Sequence, residues 1–187
     1  MRPQKILDSD MMTGLTKVFR DKGYEGASLK ELADSTGLKK ASLYHRFPNG
    51  KQEMAQSVFD EIDEWVKNRI FFSLRDKSEA PRARIKKALD NIRLLYGGGK
   101  ETCIFRAFSM DAGMSLFEEQ IKNGMEEWIA SFTEIGIALH LTAGRAKEIA
   151  IQTLVEIQGS LVVAKGLRNT AIFETTLRRI ENRYLNQ

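Results

Sequence analysis

The stretch from Ser28 to Lys51, SLKELADSTGLKKASLYHRFPNGK, leaves few folds open. Ser28 followed by Glu31 forms an S-x-x-E capping box, which predicts a helix starting at Leu29. In such a box the serine hydroxyl accepts from the Glu31 amide, and the Glu31 carboxylate reaches back to the Ser28 amide. Leu29, Leu32 and Ala33 then share one helical face. Gly37 supplies the stop, because glycine takes positive φ without a Cβ clash. A second short helix is expected over 39–46, with Leu43 and the following Phe47 turned inward. Lys39, Lys40, Ser42, Tyr44, His45 and Arg46 are left outside. Two short helices joined at a glycine, the second with a polar outer face, predict a helix-turn-helix whose second helix fits a DNA major groove.

Charge agrees with a polyanionic partner for this end. Residues 1–51 hold 10 Lys+Arg against 6 Asp+Glu, and the remaining 19 of 29 basic residues are balanced by the remaining 19 of 25 acidic ones. The net charge of +4 therefore lies wholly in the segment with the motif. An imbalance of this size also arises by chance; its coincidence with the motif gives it weight. The 187 residues, 42% of them hydrophobic, suffice for the core of one or two small domains. No apolar run is long enough to span a bilayer. The start, MRPQKILDSDMM, has no apolar h-region and does not read as a secretory signal. A single cysteine, Cys103, cannot close an internal disulfide and suits a reducing cytoplasm.

Over 4–21 the apolar residues Ile6, Leu7, Met11, Leu15, Val18 and Phe19 recur at helical spacing, predicting an amphipathic helix that Gly23 ends. Tyr24, Ala27 and Leu29 extend the same small core. The order of motifs is then F-x-x-x-G-Y at Phe19 to Tyr24, S-x-x-x-[IL]-A at Ser28 to Ala33, the turn at Gly37, and S-L-Y-x-x-F-P-x-G-K at Ser42 to Lys51. Over about the first 55 residues this resembles the N-terminal domain of TetR-family transcriptional regulators, in the subgroup with F-P-x-G-K after the recognition helix.

The resemblance implies an all-α protein, with a three-helix DNA-binding domain over 1–50 and a helical effector-binding and dimerisation domain over 51–187. Carried over by position, it places Ser28 beside a phosphate while capping its helix. Lys40, Ser42 and Tyr44 meet DNA backbone or base edges, His45 lies near the groove, and Lys51 meets a phosphate. The chemistry agrees, since ammonium and hydroxyl groups bind phosphate oxygens and position a protein without reading sequence. Ala41 is small enough for close approach, and its methyl can touch a thymine methyl. Lys39 departs from the family pattern, which often has Ser or Thr there. Losing that cap costs on the order of 1 kcal/mol, and a cation at a helix N-terminus opposes the dipole. A DNA phosphate would offset both; a solvated turn lysine is the equal alternative. His45 has the alternative of an ordinary surface histidine.

Pro48-Asn49-Gly50 is a turn. A long helix follows over 51–74 with Met54, Val58, Ile62, Trp65 and Ile70 along a stripe. Pro81 suits the first turn of the next helix, whose buried face is Ile85, Ala88, Leu89, Ile92, Leu95 and Tyr96. Gly97-Gly98-Gly99 is expected to be a mobile linker. Without a preceding strand or a G-K-[ST] ending it is not a phosphate loop. A short helix over 102–110 is expected in the middle of the C-terminal domain. There Arg106 is read as structural rather than as an effector contact, and Cys103 as a small buried hydrophobe. A helix over 116–139 buries Phe117, Ile121, Met125, Trp128, Ile129, Phe132 and Ile135 and ends beside His140. Thr142 is expected to cap the next helix, which Gly166 stops. Thr170 is expected to cap the last, whose buried side is Ile172, Phe173, Leu177, Ile180 and Tyr184. Gly159, Ser160 and Ala164 are small and admit a close helix. This C-terminal segment resembles one subgroup of the family in which the last two helices pair with their copies in a homodimer.

The expected activity is that of a homodimeric repressor of double-stranded DNA, released from a palindromic operator by a largely apolar small molecule. Trp65, Phe105, Phe108, Met114, Trp128 and Gln158 are the candidate effector contacts. Phe72, Met110 and Phe117 are further possible lining, and Ser109 and Asp111 further polar groups nearby. Aromatic and Met residues at helical spacing are more often solid core, so only a minority of these are expected to touch a ligand. The alternative is an architectural DNA-binding or interaction protein without an effector. An enzyme finds no support. There is no nucleophile elbow, metal-ligand cluster or phosphate loop, and the two histidines, His45 and His140, fall in different domains. Glu118-Glu119 and Glu126-Glu127 read as solvated helix faces. No catalytic residue, metal, cofactor or membrane partner is expected.

Overall fold

The computed structural model describes residues 8–186, and every regular element in them is helical. The order is α1 (Asp8–Gly26), α2 (Leu29–Thr36), α3 (Lys40–Arg46), α4 (Lys51–Val66), a π turn (Lys67–Phe71) running into α5 (Phe72–Arg75), α6 (Pro81–Leu95), α7 (Ile104–Phe108), α8 (Asp111–Ala138), α9 (Ala143–Leu167) and α10 (Ala171–Leu185). Gln4, Ile6 and Leu7 of the expected first helix, and the Asp111 side chain, lie outside the described residues. The all-α architecture agrees with the expectation. The chain forms two compact units: residues up to Ile62 with Ile104–Glu118, and Asp63–Cys103 with the residues from Glu119 onward.

In the first unit α1 and α2 approach closely at Gly14, where a Cβ would stand 2.5 Å from the Ser35 carbonyl oxygen. The Ser35 hydroxyl donates to the Gly14 carbonyl at 3.0 Å. Leu15, Phe19, Leu32, Leu43, Met54 and Val58 are buried beneath them. Gly23 breaks the α1 geometry as expected (φ 72°, ψ 179°), although helical turns continue to Gly26. The short α7 belongs to this unit and not to the middle of the C-terminal body. Phe108 meets Phe19 edge-on at 5.5 Å and stacks on Phe117 at 4.9 Å. Local periodicity could mark α7 as a buried helix but could not say against what.

In the second unit the π turn buries the successive residues Ile70 and Phe71. The Arg69 carbonyl within it accepts from the Ser73 hydroxyl at 2.5 Å and from the Asn91 amide at 2.9 Å. Arg75 forks onto Glu134 (2.9 and 3.0 Å) and also donates to Glu127. Buried Arg84 donates both Nε and Nη2 to the Leu74 carbonyl, closing the end of α5.

Three expectations are corrected here. The triple glycine is a packed 3-10 turn rather than a mobile linker. Gly99 is buried at φ 92°, where a Cβ would come within 2.7 Å of the Phe173 Cβ. Arg168 (φ 51°), not Gly166, takes the left-handed position after α9. Thr170 precedes α10 without a side-chain cap, and Asn169 accepts from the Ala171 amide instead, at 3.1 Å. The Thr142 cap forms as expected, accepting from the Arg145 amide at 3.4 Å.

Candidate nucleic-acid interface and effector residues

The capping box forms as the sequence predicts. The Glu31 amide donates to Ser28 Oγ at 3.2 Å, and the Ser28 amide and hydroxyl donate to Glu31 Oε2 at 3.1 and 2.8 Å. These two donations, the hydroxyl first, hold the Glu31 carboxyl below its ordinary pKa, with Lys22 a lesser contributor at 3.6 Å. Gly37 (φ 67°) closes α2, its amide directed at the Ala33 and Asp34 carbonyls. The turn into α3 is thereby fixed from its α2 side.

The start of α3 is different. Lys39 stands at the N-cap with extended backbone (φ −72°, ψ 150°) and makes no side-chain cap. Only Leu43 of the helix is buried, joined by Phe47 just beyond. Lys39, Lys40, Ala41, Tyr44 and His45 are exposed, and Ser42 is half-buried. Arg46 turns back instead, pairing with Asp8 and touching the Met11 sulfur at 3.4 Å. Beyond the helix, Tyr44 lies over Gly50 (φ 66°), where a Cβ would sit 3.2 Å from the ring edge. The Asn49 amide donates to Glu53 at 2.8 Å at the head of α4. The Lys51 ammonium rests over the Tyr24 ring, 4.6 Å from its centre. Burial, with the Glu25 charge second, pushes the Tyr24 hydroxyl pKa up.

All eight expected DNA contacts thus fall in one unit, with Ser28 and the 39–45 face exposed. Two supports escaped the sequence reading: Tyr24 beneath Lys51, and Arg46 anchored to α1. Both pairings join residues far apart in the chain, so no local pattern signalled them.

Residues 13–58 match the family model described as "Bacterial regulatory proteins, tetR family". The helix-turn-helix end of the chain is a TetR-family DNA-binding domain. Among curated relatives, the HTH-type transcriptional regulator LmrA of Bacillus subtilis is 22% identical over 164 residues, 86% of this chain and 87% of that one. The IcaR negative transcriptional regulator of the biofilm operon icaADBC in Staphylococcus aureus is 46% identical over 54 residues, 29% of this chain and 26% of its own. The solved structure of the TetR-family regulator CifR in complex with a 26-bp operator duplex shares the fold. Its TM-score is 0.71 at 21% identity, covering 95% of this chain and 98% of that one. With that domain the chain is a DNA-binding transcriptional regulator. No helix among the described residues is long and apolar enough to cross a membrane.

The candidate effector residues are divided between the two units. Phe105, Phe108 and Met114 lie in the first unit, and Trp65, Trp128 and Gln158 in the second. Phe105 packs on Phe59 at 5.8 Å, Phe108 has no exposed surface, and Met114 is exposed. Trp128 is buried between Phe71, edge-on at 5.6 Å, and Phe132, stacked at 6.0 Å; Trp65 and Gln158 are half-buried. Of the further lining, Phe117 is buried, whereas Phe72 (61%) and Met110 (67%) face solvent. Arg106 is exposed, in keeping with a surface role.

Proposed function

We propose that this chain is a ligand-responsive repressor, acting as a homodimer through α9 and α10. A small molecule releases it from a palindromic operator. The observation that carries the reading is the outward face of α3. Its single buried anchor, Leu43, leaves Lys39, Lys40, Ala41, Tyr44 and His45 to solvent. On that face Lys39, Lys40, Ser42 and Tyr44 take phosphates or base edges, Ala41 permits close approach, and His45 borders the groove. Ser28 and Lys51 take flanking phosphates. Two such heads about 34–36 Å apart meet successive major grooves.

The head ends at Gly50, and the body from Lys51 carries the effector and dimer functions in a cytoplasmic protein. The proposed effector contacts are Trp65, Trp128 and Gln158, which share one compact unit and offer an apolar lining with one polar group to orient a ligand. Release requires that the ligand bind the DNA-incompetent state more tightly than the competent one.

Fluorescence anisotropy tests the reading. The full chain is titrated against the DNA flanking its own coding region and against a scrambled duplex, at low and near-physiological salt. Binding to one native segment that survives the higher salt is the expected result. Equal, salt-fragile binding to both duplexes would leave an unspecific DNA binder.

A further inference from the structure

Lys51 is the first residue of α4, and its charge is of the wrong sign for that end of a helix. The dipole repels a cation there, and a free lysine side chain samples many rotamers. The structure holds it in place instead. The ammonium stands over the face of the Tyr24 ring, 4.6 Å from its centre, where the ring quadrupole attracts a cation. Among the described residues no carboxylate pairs with it. Tyr24 is in turn fixed from its far side. Its ring meets Phe117 edge-on at 5.7 Å and Phe108 at 6.2 Å, and those two buried rings stack on each other at 4.9 Å. A Cβ at Gly113 would stand 3.1 Å from the Tyr24 Cβ, so the α8 backbone closes against this residue. All of these residues belong to the first compact unit. Lys51 thus rests on an aromatic bed to which α1, α7 and α8 each contribute a ring.

We propose that Tyr24 is a positioning residue for DNA binding: it holds the Lys51 ammonium ready for a backbone phosphate, with Phe108 and Phe117 as its backing. This role rests on the reading of Lys51 as a phosphate contact and extends it to a residue that acts through another. A ring face attracts the ammonium without neutralising it. The ammonium can keep the ring on one side and donate to a phosphate oxygen on the other. A carboxylate in the same place would cancel the charge that the phosphate needs. Ordering the side chain before DNA arrives also removes part of the entropy lost on binding. Because the contact is to the backbone, its effect does not depend on base sequence.

The probe is a random-sequence duplex at low salt, on which phosphate contacts hold whatever the operator is. Binding of the full chain is followed by fluorescence anisotropy. Tyr24→Leu should raise Kd about 2- to 5-fold, the value of a cation–π contact near the surface. Tyr24→Phe, which keeps the ring, should bind like wild type. Pentafluorophenylalanine installed at position 24, which keeps the shape and reverses the quadrupole, should behave like Tyr24→Leu. Lys51→Ala should weaken binding and lower the salt slope by roughly one unit. In that background Tyr24→Leu should have no further effect, whereas a ring that merely packed the unit would weaken binding there as well. The ring also leaves a mark without DNA. By NMR the Lys51 methylene protons beside the ammonium should lie upfield of those of the other lysines in wild type and Tyr24→Phe, and not in Tyr24→Leu. Helicity by circular dichroism should stay constant through the series. An equal loss from Tyr24→Leu in both backgrounds, or wild-type binding with the fluorinated ring, overturns the positioning role and leaves Lys51 a phosphate contact. Unchanged affinity and salt slope in Lys51→Ala overturn the Lys51 reading and this role with it. A wild-type chain that binds no DNA at low salt overturns the DNA-binding reading as well.

Discussion

The two helices of the helix-turn-helix are built on opposite plans. The first, α2, is closed at both ends by its own sequence: Ser28 and Glu31 satisfy each other at the start, and Gly37 gathers the last carbonyls. The second, α3, is shorter, has a lysine where a cap would stand, and buries one residue. An isolated helix of that length is unstable in water, so α3 exists by being held against its neighbours. Its polar groups are therefore not spent on its own ends. The supporting helix is locally self-sufficient, and the exposed one is deliberately incomplete.

Four substitutions and one titration probe that contrast. Leu43→Ala should cost the most, roughly 2–5 kcal/mol of unfolding free energy by urea titration, because it removes the one buried side chain of α3. A loss below about 1 kcal/mol would mean that α3 is held some other way. Ser28→Ala should lower stability by about 1 kcal/mol in the same assay, through the lost cap. Lys39→Ser should do the reverse, raising stability by up to about 1 kcal/mol. In the proposed complex it should also weaken operator binding and flatten the salt dependence by roughly one unit of slope. If Lys39→Ser binds DNA unchanged, Lys39 is a turn residue only. Arg46→Ala, which breaks an exposed ion pair with Asp8, should cost no more than about 1 kcal/mol by thermal unfolding. The smallest effect is that of pH. Glu31 has a folded pKa below its ordinary value of 4.5, so its contribution is present above that pH and is lost as the pH falls through the folded value. Amide exchange over Leu29–Leu32, followed from pH 7 to pH 3, should quicken there while the Leu15 amide of α1 stays protected.

What could be read from the sequence follows the reach of each interaction. The Ser28 box, the Gly37 stop, the break at Gly23 and the Thr142 cap act within four residues, and all four form. The buried side of α10 follows from periodicity in the same way. The failures lie where a distant neighbour decides. Gly97 to Gly99 looked like a linker because nothing nearby announces Phe173, which fills the space a side chain at Gly99 would need. Arg168 could adopt the left-handed cap even with Gly166 two residues away, since the choice depends on where the α9 packing ends. The candidate interface was legible because its face is one short helix and the residues flanking it. The effector residues were less so, because aromatic spacing marks burial without saying which unit does the burying.

The π turn at Lys67–Phe71 bears on how such proteins can be recombined. It adds one residue to the helix that begins at Lys51, relative to a regular α-helical path. A splice with a relative lacking the extra residue changes the helical phase beyond the junction by roughly 100°, one residue's share of a turn. A junction upstream of Lys67 leaves the extra residue with this chain's C-terminal part; one downstream of Phe71 hands it to the N-terminal part. Chimeras joined at those two points would differ in phase while carrying the same surface on α3, so the junction becomes a design variable in its own right.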